Sequence, residues 1–238
     1  KSTDKGQTWT DISAGLRVAQ PYRLSPAYTV TDMVLNGWQD NGCNLWDGTT
    51  WKRVQGGDGM DVIIDYSNED RMYASFQYGY VNRTTNGGIS WTPLPVAGGG
   101  WLTPYEMDPV DHMIMYYGAS TGTIQKSENG GTSWSNLSSN LGGEVFDIAI
   151  APSNTNYVYA CALQTMKVST NAGTTWTNIT SGLPTAGTGF NYIAVSDEDP
   201  THVWVAISGY EDGKKVYFSD NAGSTWTNVS GTLPNVPV

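Results

Sequence analysis

The chain has 238 residues, 39% of them hydrophobic, with 28 Gly, 10 Trp and 14 Tyr against only 2 His, a balance that suits short strands and tight turns around a sizeable core. Twelve Lys plus Arg against 22 Asp plus Glu give a net charge of -10, which argues against nucleic acid and anionic membranes as partners because both demand a cationic footprint. No apolar run approaches the roughly 18 residues of a membrane-spanning helix, and no stretch keeps a helical period, so neither membrane insertion nor a helical fold is expected.

The chain opens inside a motif. "STDKGQTW" ends at Trp9, and the same spacing returns as "TTNGGISW" at Trp91, "SENGGTSW" at Trp134, "STNAGTTW" at Trp176 and "SDNAGSTW" at Trp226. "NLWDGTTW", ending at Trp51, is a degenerate copy that keeps Gly48. A recurrence every 40 to 50 residues marks one supersecondary unit repeated, and propeller blades fall in that range. The chemistry of the motif is that of a turn. Asp4, Asn86, Asn129, Asn171 and Asn221 can bond their own backbone two residues on, while Gly6, Gly88, Gly131, Gly173 and Gly223 supply a positive φ. The Trp that follows starts a strand and is expected to pack as blade core.

Between the motifs a second signal recurs in phase, a polar turn followed by an aromatic or aliphatic strand. It reads "SPAYTVTDMVLNG", "DYSNEDRMYAS", "DPVDHMIMYYG", "APSNTNYVYAC" and "DEDPTHVWVAI" in chain order. In the fourth interval strand a is "EVFDIAIAP", strand b "YVYACAL", strand c "MKVS" and strand d "TWTNIT", with the motif as the c-to-d turn. The prediction is an all-β chain: a β-propeller of four-stranded antiparallel blades, six strand-d segments visible, with six or seven blades. It forms one domain or partial propeller over 1–238, with blade ends near the six motif Trp residues. The start at a c-to-d turn and the end at "LPNVPV" lead us to expect a piece of a longer chain with further domains.

These motifs resemble the Asp-box, or BNR, repeat of bacterial sialidases, family 74 xyloglucanases and sortilin-type receptors, and five good copies carry the resemblance over nearly the whole chain. It implies a β-propeller whose Asp-box turns lie away from the binding or catalytic face. Asn in place of the commoner Asp keeps the turn and weakens any metal reading. "QPYRLSP", "GWQDNG", "GGDGMDVIID" and "YASFQYGYVNRTTNGGISW" are similar to large secreted BNR-repeat proteins of Bacteroidetes, many of them type IX secretion cargo, which implies secretion or display at the outer cell surface.

In a propeller the b-to-c loops and d-to-a links share the face opposite those turns. That face should carry Trp38, Gln39, Asp40 and Asn41, then Asp58 and Asp61, then Gln77, Tyr78 and Tyr80. Trp101, Tyr105, Glu144, Phe190, Tyr210, Glu211 and Asp212 follow from later blades. Asp40, Asp58 and Asp61 are candidate catalytic carboxylates, since paired carboxylates flanked by aromatic rings serve glycoside hydrolysis. "QDNG" partly matches a "TDIGG" type segment that holds a catalytic aspartate in family 74. As simple loop formers, Asp40 is an Asx-turn residue and Gly56 to Gly59 a permissive link. The aromatic and amide residues of this face, and the insertion "SGYEDGKK" with Tyr210, Glu211 and Asp212, are candidate ligand contacts.

Other chemistry finds little support. The arginines are Arg17, Arg23, Arg53, Arg71 and Arg83, all in the first part of the chain and without the Arg-Ile-Pro segment of sialidases. His112 and His202 fall in a-to-b turns, on the far face, and no Ser-His-Asp arrangement is supported. Cys43 and Cys161 read as small unpaired hydrophobes, and zinc lacks ligands. An acidic loop can hold calcium weakly, but the spaced oxygens of a calcium loop are missing, so no cofactor or metal is expected. "NRT", "NLS", "NIT" and "NVS" satisfy the N-glycosylation pattern but mostly repeat the strand-d text. Two functional expectations remain: a non-catalytic extracellular binding or scaffold module for polysaccharide or an extracellular protein, and, as the alternative, an endo-acting glycoside hydrolase resembling family 74 on a plant or algal polysaccharide.

Overall fold

The repeated turns form as their side-chain chemistry requires. Asn171 Oδ1 accepts from Thr175 N at 2.8 Å and Ser169 Oγ at 3.0 Å, while Ser169 Oγ accepts from Gly173 N at 2.8 Å. Trp176 Nε1 closes the unit on Gly173 O at 3.0 Å. The same set recurs around Asn86 and Asn129, and Asp4 makes the first turn with Thr8 and Ser2. The computed structural model describes residues 1–11, 19–186 and 189–236, so Arg17 lies outside the described residues.

Those turns join the last two strands of four-stranded antiparallel blades. The first blade is β1 (Pro21–Pro26), β2 (Met33–Trp38), β3 (Gly42–Asp47) and β4 (Trp51–Gln55); the second is β5 (Gly59–Ile64), β6 (Met72–Phe76), β7 (Tyr80–Thr84) and β8 (Thr92–Pro93). The third is β9 (Tyr105–Met107), β10 (Met115–Gly118), β11 (Ile124–Ser127) and β12 (Ser135–Asn136). The fourth is β13 (Val145–Ile150), β14 (Val158–Ala162), β15 (Thr165–Ser169) and β16 (Thr177–Asn178), and the fifth β17 (Gly189–Val195), β18 (Val203–Ser208), β19 (Val216–Ser219) and β20 (Thr227–Asn228). This is the all-β propeller architecture, with five complete sheets among the described residues and the turn at Asp4 preceding them.

The core lies between blades. Leu35, Cys43 and Leu45 of the first blade meet Val62, Ile64 and Met72 of the second, and Trp91 packs against the cluster. Trp134, Trp176 and Trp226 close the next three seams in turn. Strand-b tyrosines span the last three seams: Tyr73 Oη donates to Gly130 O at 3.0 Å, Tyr116 Oη to Ala172 O at 3.1 Å and Tyr159 Oη to Pro200 O at 2.7 Å. Two of the six motif tryptophans depart from the expectation of a core role. Trp9 is 75% and Trp51 50% exposed, because the seams they would close have no preceding sheet among the described residues. Cys43 and Cys161 are free and buried in separate seams, and burial pushes the Cys43 thiol up to about 12.

Candidate functional site

The inner strands β1, β5, β9, β13 and β17 pack on one another in order, and four of them carry a β-bulge at the same place. The register breaks between Pro21 and Arg23, Gly59 and Val62, Val145 and Asp147, and Phe190 and Tyr192. A bulge re-aims the side chains beside it. Here Arg23, Asp61, Asp147 and Tyr192 stand at matching positions, two residues before the partner of the central strand-b residue, and act on one another. In the third blade that position is Pro104, and Glu106 carries the acid one pleat farther along β9, opposite Tyr116.

The result is a ring with one functional side chain from each blade, set on the innermost strands, which in a propeller border the central channel. Asp147 is buried and accepts from Ile193 N of the next blade at 2.6 Å, while Asp61 and Glu106 are half-buried. Burial raises Asp61 to about 6 against the opposing pull of Arg23. Burial likewise raises Asp147 to about 7, and it lifts Glu106 well above the usual range with help from the charges of Asp61 and Asp147. Arg23 lies with its guanidinium carbon 4.9 Å from the centre of the Tyr192 ring. A cavity of about 340 Å³ opens beside Arg23, Asp61 and Glu106. Carboxyls that hold protons near neutral pH beside one cation can donate and accept protons.

The mouth of the channel is aromatic. Tyr78, in a 3₁₀ turn over Gln77–Gly79, has φ 67 and is 58% exposed. A positive φ at an aromatic residue costs energy that its surroundings must offset. Gly79 follows it at φ 76, where any Cβ would fall 2.1 Å from Tyr117 Oη. That buried hydroxyl donates to Ala97 O at 2.7 Å and lies 3.0 Å from Gly79 O, joining the Tyr78 turn to the loop before Trp101. Trp101, 41% exposed, meets Tyr78 edge to face with centroids 5.6 Å apart. Its Nε1 donates to Tyr22 Oη at 3.2 Å, and Tyr22 Oη donates to Gln39 Oε1 at 2.9 Å. Beside them a groove of about 510 Å³ runs past Phe76, Tyr80 and Gly99, with Phe76 and Tyr80 stacked at 5.1 Å.

The residues singled out in the sequence separate into groups. Asp40, exposed at φ 61, gives its backbone N–H to Asp58 Oδ1 at 2.7 Å, and Asp58 N donates to Gln77 Oε1 at 3.1 Å. These loops therefore meet as the sequence suggested, but through backbone capping, while Asp61 belongs to the channel ring. Asn41 bonds within its own loop, and Trp38 stacks obliquely on Trp51 at 5.7 Å with its indole N–H buried and without an acceptor. Tyr105, expected on the open face, is instead buried and donates to Asp61 O at 2.7 Å. Phe190 is likewise core, because the bulge that follows it presents Tyr192 to the ring in its place. Tyr210, Glu211 and Asp212 lie in the b-to-c loop of the fifth blade, where Glu211 pairs with Lys214 at 2.7 Å. Among the described residues no group of His, Cys, Asp and Glu is arranged to hold a metal ion.

Sequence reasoning missed Arg23, Glu106 and Asp147. The available signal was a charged residue inside four of the five inner strands, in "YRLSP", "GMDVII", "YEM" and "VFDIAI". On the opposite face His112 Nδ1 lies 2.7 Å from the buried Asp65 Oδ2, 2.9 Å from Arg71 Nη1 and 3.0 Å from Ser67 Oγ, a contact across the seam between the second and third blades. Burial would raise Asp65, but its hydrogen bonds with His112 and Ser67 hold it below the usual range.

No family model and no curated protein matches the chain. Solved structures do. An ancestral GH74 enzyme superposes with a TM-score of 0.73 at 18% identity, covering 91% of this chain and 32% of that one. The GH74 enzyme of Niastella koreensis gives 0.65 at 20% identity, covering 91% of this chain and 38% of that chain. YCF48 from Cyanidioschyzon merolae gives 0.52 at 14% identity, covering 88% of this chain and 84% of that one. At these identities the likeness shows the β-propeller fold alone, and the chain spans about a third of the length of the GH74 structures.

Proposed function

We infer that the chain is a secreted or cell-surface propeller of the BNR/Asp-box kind that binds polysaccharide at the channel mouth, as a binding module rather than a catalyst. The observation that carries this reading is the Tyr78–Trp101 pair, two exposed rings held in fixed orientation by a left-handed backbone and a hydrogen-bonded indole. Exposed aromatic rings with a polar handle suit a ligand that is apolar on its ring faces and hydroxylated at its edges. Gln39 and Gln77 stand beside the rings to meet such hydroxyls. The resemblance to secreted Bacteroidetes proteins supports export, and extracellular polysaccharide is the partner that fits this location.

Affinity electrophoresis in gels containing xyloglucan, laminarin or chitosan tests the reading. The chain should be retarded by at least one of them, and Tyr78→Ala and Trp101→Ala should each weaken retardation about tenfold, the loss of roughly 1.4 kcal/mol of ring contact. Unchanged retardation in both variants would sink it.

A hydrolase resembling family 74 is the second reading, favoured by the proton-holding carboxyls Asp61, Glu106 and Asp147. A GH74 enzyme of Xanthomonas campestris, similar in fold at 16% identity and a TM-score of 0.70, is a xyloglucanase. In a polysaccharide hydrolysis screen this reading requires activity that Asp61→Asn or Glu106→Gln removes. Activity left intact by those changes and lost in Asp40→Asn would move the chemistry to the rim.

A further inference from the structure

Two consecutive residues of β1 join the channel to the aromatic mouth. Tyr22, inside the bulge, sends its hydroxyl to the rim, where it holds Trp101 Nε1 at 3.2 Å and Gln39 Oε1 at 2.9 Å. Arg23, the next residue, turns into the channel, and its Nη1 lies 3.4 Å from Tyr22 O and 3.4 Å from Tyr192 Oη. Both contacts are long and give way easily to a stronger attraction. The guanidinium also acts on Asp61, Glu106 and Asp147 through their shared field.

We propose that the ring of Arg23, Asp61, Glu106 and Asp147 is a proton-operated regulator of the aromatic platform, which it controls through Tyr22. With the carboxyls neutral, Arg23 rests on Tyr22 and Tyr192, and Tyr22 holds Trp101 in place. As the carboxyls ionise, Arg23 swings toward them, β1 shifts at its bulge, and the bond between Tyr22 and Trp101 slackens. The groups facing the ring are Arg23 on β1, Asp61 on β5, Tyr105 and Glu106 on β9, Asp147 on β13 and Tyr192 on β17, with the thiols of Cys43 on β3 and Cys161 on β14 behind them. Burial raises both thiols and Tyr105, so these stay neutral while the carboxyls titrate. The ring therefore passes from cationic to anionic as Asp61, at about 6, and Asp147, at about 7, give up their protons. The inference rests on reading the rim as a ligand platform.

The test follows the Trp101 indole N–H by NMR in the full chain labelled with 15N-tryptophan, assigned with Trp101→Phe, from about pH 5 to about pH 8.5. The resonance should move with a midpoint between about 6 and about 7. The shift should shrink in Asp61→Asn, which removes one of the two titrating carboxyls, and vanish in Arg23→Gln. A resonance that stays still in the wild-type chain overturns the proposal, and so does a shift that is undiminished in both variants. Xyloglucan retardation at the same pH values separates the two ideas. A titrating resonance without retardation by any polysaccharide removes the platform and keeps the proton-operated link, whereas retardation with a stationary resonance does the reverse.

Discussion

Asn171 and Asp4 solve one turn with opposite polarity. The Asn171 amide donates to Thr175 Oγ1 at 2.8 Å, while at the first turn the Thr8 hydroxyl must donate to Asp4 Oδ2 at 2.5 Å. Asn thus makes the same bonds without a charge, which explains how four of the copies dispense with Asp. Hydrogen bonds from Thr8 hold the Asp4 carboxyl down at about 2, so this exposed copy keeps its charge through mild acid. Gly173 is the other fixed point: it sits at φ 91, and a Cβ there would come within 2.5 Å of Leu137 Cδ1. Gly173→Ala should lower the stability of the chain by about 2 kcal/mol, from left-handed strain plus the displaced leucine, read as a reduced midpoint in urea. A midpoint equal to wild type would show that the turn can relax.

At the scale of an element, the tyrosines of strand b make the clearest prediction. Tyr116 is buried, and its hydroxyl reaches from the third blade to Ala172 O in the fourth blade's turn. Tyr116→Phe leaves that carbonyl without its partner and should cost roughly 1 to 2 kcal/mol, with hydrogen exchange accelerated at the Asn171 turn rather than uniformly. Uniform acceleration would mean that the seam opens only with the whole molecule. The strand-d text has a similar structural cause. Asn178 Oδ1 accepts from Thr180 N at 2.9 Å, and Thr180 Oγ1 accepts from Met166 N at 2.9 Å, so the Asn and the Thr of "NIT" end the strand and tie it to its neighbour. Turns of this kind are legible because all their partners lie within a few residues. The inner strands are less so: loop order assigns Tyr105 to the open face, whereas a residue inside an inner strand is buried or exposed by its pleat and by any bulge beside it.

Across the whole molecule, opposing carboxyl shifts fix the pH of greatest stability. Asp61, Asp147 and Glu106 have folded values above the ordinary carboxylate range, so the folded state binds more protons there and their contribution is complete at low pH; that of Asp61 and Asp147 is lost as pH rises through about 6 to about 7. Asp4 and Asp65 have lowered values, so theirs is present above about pH 4 and lost as pH falls. The melting temperature should therefore peak at mildly acidic pH and decline toward about pH 8, and Asp147→Asn should flatten the alkaline side. A melting temperature that rises steadily up to pH 8 would contradict the ring as described.

The sequence by itself determined the repeat, its turns and the all-β blades, because each repeated turn is satisfied by contacts within about eight residues and each strand by its own alternation. Loop order in a blade sets which end of the sheet a residue occupies, and it put on one face Gln39, Tyr78 and Trp101, which Tyr22 and a ring contact join. Only the tertiary structure decided that Arg23, Asp61, Glu106 and Asp147 share one channel, that Asp58 caps the backbone of Asp40, and that Tyr105 and Phe190 are core. Those outcomes depend on where a bulge falls and on which strands, more than 35 residues apart, are brought to the same axis, and neither is written in any single blade.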